Sequence, residues 1–383
     1  MMTQITEEQD IQELYQSILA GGSWSAGTDD NSAATRLFLE KYRVSIGKRY
    51  VLGCTKYARH CIETLDCDYV IDDLKTPGSF SGKQVVSLDA VPDDGLVISC
   101  AMFQAQTVKR KLDCRAILNT DYYCLMIQRP ELQLPLLEYW VGDEPPIADY
   151  SVFMSELEDD ESQETLCKIL AFRASGNLRY MGGFSNRLEE MYFEPFLRLP
   201  QDPVFYDVGA LNGENSIGFA ERYPSYVEVV AFEPMHASFN KLSSNLRAYD
   251  RVQCVRAAVT DSVGNVSFYE DAFLDAAASL EPRRYSKQVI VPAVTIDAIR
   301  AERCVPVSLI KMDIEGAEIQ ALSGAKQTIK VDMPNLAVSV YHHPAHILDA
   351  WKKIKNYNCN YRFFLRHYSE GFAETVLYAI PSH

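Results

Sequence analysis

Val204-Phe205-Tyr206-Asp207-Val208-Gly209-Ala210-Leu211-Asn212-Gly213 is the stretch on which the reading of this chain turns. It reads as a buried apolar strand that ends in a small-residue turn and opens a helix at Glu214. Gly209, Ala210 and Gly213 let the backbone approach a ligand that bulkier side chains would exclude, and Asp207 adds a charged handle at the strand end. Twenty-four residues beyond Gly209, a second strand, Val227–Phe232, ends in Glu233-Pro234. An acid there is placed to accept hydrogen bonds from both hydroxyls of a ribose. Strand, turn, helix, strand and acid together describe a nucleoside pocket at the carboxyl edge of a parallel sheet.

The turn departs from G-x-G-x-x-G, which sets a pyrophosphate on a helix N-terminus. Here the spacing is D-x-G-x-x-x-G, with Asp207 expected to aim into the pocket. A carboxylate repels a diphosphate but suits a cation or an amino-acid ammonium. S-adenosylmethionine has a ribose, an ammonium and a sulfonium and no phosphate, so the chemistry favours it over NAD.

The 383 residues suit two domains, each long enough to bury a core. A net charge of −15 argues against a nucleic-acid or anionic-membrane surface. No stretch approaches the ~20 apolar residues of a membrane helix, and Met1–Asp10 lacks a basic segment followed by an apolar core. The ten cysteines are scattered without a C-x-x-C pair, and Cys54, Cys100 and Cys254 lie in apolar runs, as free thiols of a reducing compartment do. A cytoplasmic protein is expected; a homo-oligomeric state stays open.

Between Asp143 and Thr165 stand nine acidic residues and no Lys or Arg, with Pro145-Pro146 near the start. This is read as a linker running into a solvated helix over Ser155–Phe172, dividing residues 1–149 from 150–383. The first part opens with a helix from Thr6 to Leu19, with Thr6 and Gln9 as a capping box, then a break at Gly21–Gly27. Strands at Arg49–Leu52 and Asp68–Ile71 flank a helix at Tyr57–Leu65, and Leu96–Ser99 and Ala116–Leu118 read as further strands. Gly53 and Asp72 have the separation of a nucleotide-binding βαβ unit, but Cys54-Thr55-Lys56 stands where its second glycine belongs. Such a module serves packing, dimerisation or substrate docking as readily as nucleotide binding.

The second part continues with a helix at His236–Leu246, a strand at Val252–Ala257, a turn at Thr260–Gly264 and added strands at Val266–Tyr269 and Val289–Pro292. Val307–Asp313 and Leu336–Tyr341 are buried strands. Tyr361–Arg366 and Thr375–Ile380 are separated by too few residues for a parallel crossover and must form a hairpin. The expected fold is α/β. Residues 150–383 form a mostly parallel, Rossmann-like seven-stranded sheet of the class I methyltransferase kind with an antiparallel C-terminal hairpin. A smaller Rossmann-like domain precedes it.

Residues from about 150 to 381, about three-fifths of the chain, resemble the FkbM-type methyltransferases. That family's D-x-G-A-N-x-G turn, F-E-P, K-x-D-x-E-G-x-E and strand ending near a histidine have counterparts here, in order. They are Asp207–Gly213, Phe232-Glu233-Pro234, Lys311-Met312-Asp313-Ile314-Glu315-Gly316-Ala317-Glu318 and His342. Leu211 stands between Ala210 and Asn212, where the commonest form has Asn directly after Ala. The first part loosely resembles small sugar-nucleotide-binding modules. The resemblance implies transfer of a methyl group from S-adenosylmethionine to a hydroxyl of a sugar, polysaccharide or natural product.

Asp207, Gly209, Ala210, Asn212, Gly213, Glu233 and Pro234 are the expected cofactor contacts. Asp261 either hydrogen-bonds the adenine or forms an Asx-turn. Asp313, Glu315 and His342 face the acceptor as candidates for catalysis, with His342 as general base. The two acids could instead hold a divalent ion, although no metal site is assigned. Glu318 is read as favouring the helix dipole. Arg366 and His367 either meet an anionic substrate or pair with the acidic surface, and Tyr192-Phe193 belongs to a lid or the core. An NAD(P)-linked oxidoreductase using the first part and a non-catalytic nucleotide- or sugar-nucleotide-binding scaffold are the alternatives.

Overall fold

The computed structural model describes residues 7–20, 30–132, 147–271, 278–279, 286–357 and 359–382. Thr6, Gly21–Gly27 and Pro145-Pro146 lie outside the described residues. Two compact units emerge: Met1–Ser151 with Glu164–Arg187 and Tyr368–Ala373, and Val152–Gln163 with Leu188–His367 and Glu374–His383. One cut between residues 149 and 150 therefore does not separate them, because the chain returns twice to the first unit. Within that unit Phe172 packs edge-on to Tyr123, with ring centres 4.9 Å apart. Glu370 accepts from the Thr107 N–H at 2.7 Å and its hydroxyl at 2.6 Å.

In the first unit, α1 (Glu7–Leu19) and α2 (Asp30–Val44) precede β1 (Arg49–Leu52), α3 (Lys56–Leu65), β2 (Tyr69–Ile71), β3 (Gly78–Phe80) and β4 (Lys83–Val86). There follow β5 (Leu96–Ser99), α4 (Ala105–Cys114), β6 (Leu118–Asp121) and α5 (Tyr122–Gln128). The sheet order is β3-β4-β2-β1-β5-β6, and only β3 and β4 pair antiparallel. Thr55, in the place of a second glycine, caps α3 by accepting from the Ala58 N–H.

The helix expected over Ser155–Phe172 is two: α6 (Ser151–Glu156) and α7 (Asp160–Ser175). Asp159 breaks it by accepting from the Ser162 N–H at 2.9 Å, an N-terminal cap. Asp159 also takes the Arg366 guanidinium on both oxygens, at 3.1 and 2.6 Å, so Arg366 faces the acidic segment and not a substrate.

The second unit continues with β7 (Val204–Val208), α8 (Glu214–Arg222), β8 (Glu228–Phe232), α9 (His236–Asn245) and β9 (Val252–Val255). Next come β10 (Ala258–Val259), β11 (Gly264–Asp271), β12 (Ala278–Ser279), β13 (Ser286–Val294) and α10 (Ile296–Arg303). It closes with β14 (Leu309–Met312), α11 (Glu318–Ser323), α12 (Lys326–Asp332), β15 (Asn335–Ser339), α13 (His346–Lys355), β16 (Tyr361–His367) and β17 (Thr375–Pro381). A seven-stranded sheet runs β16-β17-β15-β14-β7-β8-β9; β17 is antiparallel to both neighbours and the other pairs are parallel. Strands β10, β13, β11 and β12 form a separate small sheet.

Every residue of β7, β14 and β15 is buried, as interior strands covered on both faces require. From β7 the chain winds outward through β8 and β9, then returns to β14 on the other side. The order reverses between β7 and β14, and such a reversal opens a crevice at the carboxyl ends of the strands. Because β17 runs backwards, its amino-terminal end reaches that same edge, with Val376 opposite Ser339 of β15.

Candidate active site

Gly209 sits at the reversal with φ +81°, and a Cβ there would lie 1.9 Å from the Asp313 carbonyl oxygen. Only glycine lets the β7 turn and the end of β14 touch backbone to backbone. At Gly213, φ +92°, the nearest atoms a Cβ would meet belong to the Leu242 and Leu246 side chains, at 3.0–3.2 Å. The Gly209 and Ala210 N–H groups bond the Phe232 carbonyl, drawing the turn over the end of β8.

There Glu233 is buried, and its carboxylate accepts the Met235 N–H at 2.8 Å and the Leu211 N–H at 3.2 Å. Leu211 reaches it by adopting a left-handed φ of 50°. A carboxylate has about four acceptor positions, so two remain for ligand hydroxyls. Burial pushes the Glu233 carboxyl up to about 7, against the two N–H groups and Lys311. Beside it Gly209, Pro234, Ala258, Phe268 and Ile314 line a small apolar hollow of about 20 Å³. A larger depression, of about 700 Å³, lies at the opposite edge and contains none of these groups.

Asp207 does not face this hollow. Its side chain is fully enclosed, 3.1 Å from the Lys311 ammonium and 2.7 Å from the Ser216 hydroxyl. Lys311 is its partner across the β7–β14 pair and also donates to the Gly209 carbonyl at 2.6 Å. The expected ligand ammonium is thus replaced by one from the chain itself, and Asp207 acts by holding the turn. Asn212 secures the start of α8, accepting from the Glu214 N–H and donating to its carboxylate. Asp261 is exposed in the turn before β11, bonded to the Ser262 hydroxyl, and does not line the hollow.

Asp313, at the end of β14, is partly exposed and accepts hydrogen bonds from Tyr192 at 3.1 Å and Tyr341 at 3.2 Å. His342 lies behind it, its Nε2 3.6 Å from Asp313 Oδ1 and its Nδ1 2.9 Å from Glu318. Glu318 is fully buried and also accepts the Ile314 N–H, so it is a keystone of the loop and more than a helix-dipole charge. Burial alone would depress the His342 imidazolium; the Glu318 carboxylate outweighs it, and Glu315 and Asp313 add to the rise, to about 10. Glu318 responds in kind: burial pushes it up, but His342 and His346 hold it below the usual carboxylate range. His342 is thus turned toward the chain's own carboxylates, with Nδ1 on Glu318 and Nε2 toward Asp313.

Glu374, immediately before β17, was not singled out by the sequence. Burial pushes its carboxyl up to about 8, with Asp313 and Glu315 raising it further and His342 and Lys311 opposing. Tyr192, Leu211, Glu315 and Glu374 all hold positive φ, from 50° to 74°. Each such non-glycine conformation costs on the order of 1–3 kcal/mol, and such strain gathers at functional sites.

Residues 207–363 match the methyltransferase FkbM domain. A stretch of 145 residues is 24% identical to the 2-O-methyltransferase NoeI of Sinorhizobium fredii, covering 33% of this chain and 59% of that protein's length. In fold, the chain is similar to a methyltransferase FkbM from Methylobacillus flagellatus: TM-score 0.73, 21% identity, covering 96% of this chain and 100% of the other. No helix among the described residues is long and apolar enough to cross a membrane.

Proposed function

We infer that this chain, whose residues 207–363 form a methyltransferase FkbM domain, binds S-adenosylmethionine and methylates an oxygen of a polyhydroxylated acceptor, a sugar or glycan. The carrying observation is Glu233: a buried carboxylate held by two backbone N–H groups, with acceptor capacity to spare, beside an apolar hollow. In this reading the ribose hydroxyls meet Glu233 and the adenine lies against the apolar residues beside it. When bound, S-adenosylmethionine supplies an electrophilic methyl on its sulfonium, and the acceptor hydroxyl that takes it gives up a proton.

The chain's own work is alignment, which supplies most of the rate in such a transfer. Tyr192 and Tyr341 fix Asp313 at the cleft, where it can orient a hydroxyl. Glu374, its carboxyl pushed up to about 8, is the candidate to take the proton once it is ionised. Assignment to oxygen follows the 2-O-methyltransferase relative, and the sugar class follows the family resemblance.

Calorimetry with S-adenosylhomocysteine, NAD and a UDP-sugar tests the reading. S-adenosylhomocysteine is expected to bind and NAD not to. Binding of NAD alone would transfer the chain to the oxidoreductases, and binding of the UDP-sugar alone would make it a scaffold.

A further inference from the structure

The floor of the cleft is crowded with negative charge. Asp313, Glu315 and Glu374 gather there, where β14 ends and β17 begins, with Lys311 and His342 beside them. Lys311 is already committed to Asp207 and the Gly209 carbonyl. His342 is 2% exposed at its side chain, and its Nε2 is enclosed without a hydrogen-bond partner, facing Asp313 Oδ1 across 3.6 Å. That gap is too long for a hydrogen bond, yet two metal–ligand bonds of about 2.1 Å can span it.

The surroundings are those of metal ligands. His342 Nδ1 is bound to a buried carboxylate, Glu318, which fixes the ring and leaves Nε2 as the coordinating atom. Asp313 is held in turn by Tyr192 and Tyr341. Metal-ligating histidines and carboxylates are oriented by partners of this kind. Asp313, Glu318 and His342 each bring a ligand atom within 4.8 Å of the others.

We propose that Asp313 Oδ1 and His342 Nε2 form the protein side of a divalent-cation site on the cleft floor, with Glu318 orienting the ring from behind. One imidazole with oxygen donors suits Mn2+, with Mg2+ as the harder competitor. The positions facing the cleft are left to two neighbouring hydroxyls of the acceptor. The ion lowers the pKa of the attacked hydroxyl, whose proton passes to Glu374 as oxygen takes the methyl and the C–S electron pair stays on sulfur. The ion's role toward the acceptor rests on the methyl-transfer reading; its binding does not.

Electron paramagnetic resonance titration of the chelator-treated full chain with Mn2+, with S-adenosylhomocysteine calorimetry on the same sample, tests this. One ion per chain is expected, bound at least tenfold more weakly in Asp313→Asn and in His342→Gln, while both variants keep the wild-type circular dichroism and S-adenosylhomocysteine affinity. Free Mn2+ signal undiminished up to millimolar ion, with S-adenosylhomocysteine still bound, overturns the ion site alone. Ion binding without S-adenosylhomocysteine binding keeps the site and removes the cofactor reading. Mn2+ bound as tightly by both folded variants as by the wild type also overturns the site.

Discussion

Replacing Glu233 by Gln keeps the shape of the side chain and removes its charge. In the free protein, burial has raised this carboxyl from near 4.5 to about 7. The stability contributed by the neutral form is fully present below the unfolded value and is lost as pH rises through 7. Ribose hydroxyls act in the opposite direction, because both can donate to the anion and only one acceptor remains once it is protonated. S-adenosylhomocysteine should therefore bind more tightly as pH climbs from 6 toward 7 and level off above. At pH 6 about a tenth of Glu233 is ionised, so affinity should be about tenfold below the plateau, or ~1.4 kcal/mol. At pH 8, Glu233→Gln should cost about 1.5–3 kcal/mol, the worth of hydrogen bonds to a charged group, and its affinity should be flat with pH. Glu233→Ala should cost more, since the Leu211 and Met235 N–H groups lose their acceptor. Calorimetry at pH 6, 7 and 8 reads all three. A wild-type affinity that is flat over this range, matched by the Gln variant, would refute Glu233 as the ribose acceptor.

Gly209→Ala should destabilise the protein by about 2–5 kcal/mol, summing left-handed strain and overpacking against backbone. Gly47→Ala, with φ +85° and open space around the Cβ, should show strain alone; equal urea midpoints for the two would remove the close contact at the β7 turn. Lys311→Met leaves Asp207 buried and unpaired, for a loss of about 3–5 kcal/mol, measured by urea unfolding at pH 7; a loss below 1 kcal/mol would mean the pair is solvated. A truncated chain starting at Tyr150 strips Phe172 and Glu370 of their partners Tyr123 and Thr107. It should melt well below the full chain, and equal melting temperatures would show the first unit to be dispensable to those segments.

The residues that local pattern could place are those whose role is set by their own strand and turn. The apolar run ending at Asp207, the glycines behind it and the acid after the next strand follow from burial on both faces and from what a turn can hold. The hairpin at the end of the chain follows from loop length alone. Roles that depend on a partner far along the chain are not set by local pattern. Asp207 looked like a ligand group because nothing near it in sequence neutralises it; its counter-ion, Lys311, is its neighbour only through the β7–β14 register. His342 looked like a base because Glu318 is twenty-four residues away, and Glu374 was invisible because an antiparallel strand brings it to the edge from the far end of the hairpin.

These corrections have one physical origin, which also bears on the chemistry. A parallel sheet gathers the ends of β7, β8, β14 and β15 at one edge, and in this chain those ends carry Asp207, Glu233, Asp313 and His342. Charges so gathered must be neutralised or separated. Asp207 is neutralised from within by Lys311, and Glu318 by His342, so both pairs serve as scaffold. Glu233 is moderated by two backbone N–H groups and stays close to neutrality. Asp313 receives the hydroxyls of Tyr192 and Tyr341 and faces the His342 ring at 3.6 Å, outside hydrogen-bond reach, with Glu374 beside it. The uncompensated charge is thus concentrated where β14 meets the cleft, and that is where a hydroxyl must surrender its proton for a methyl group to be transferred.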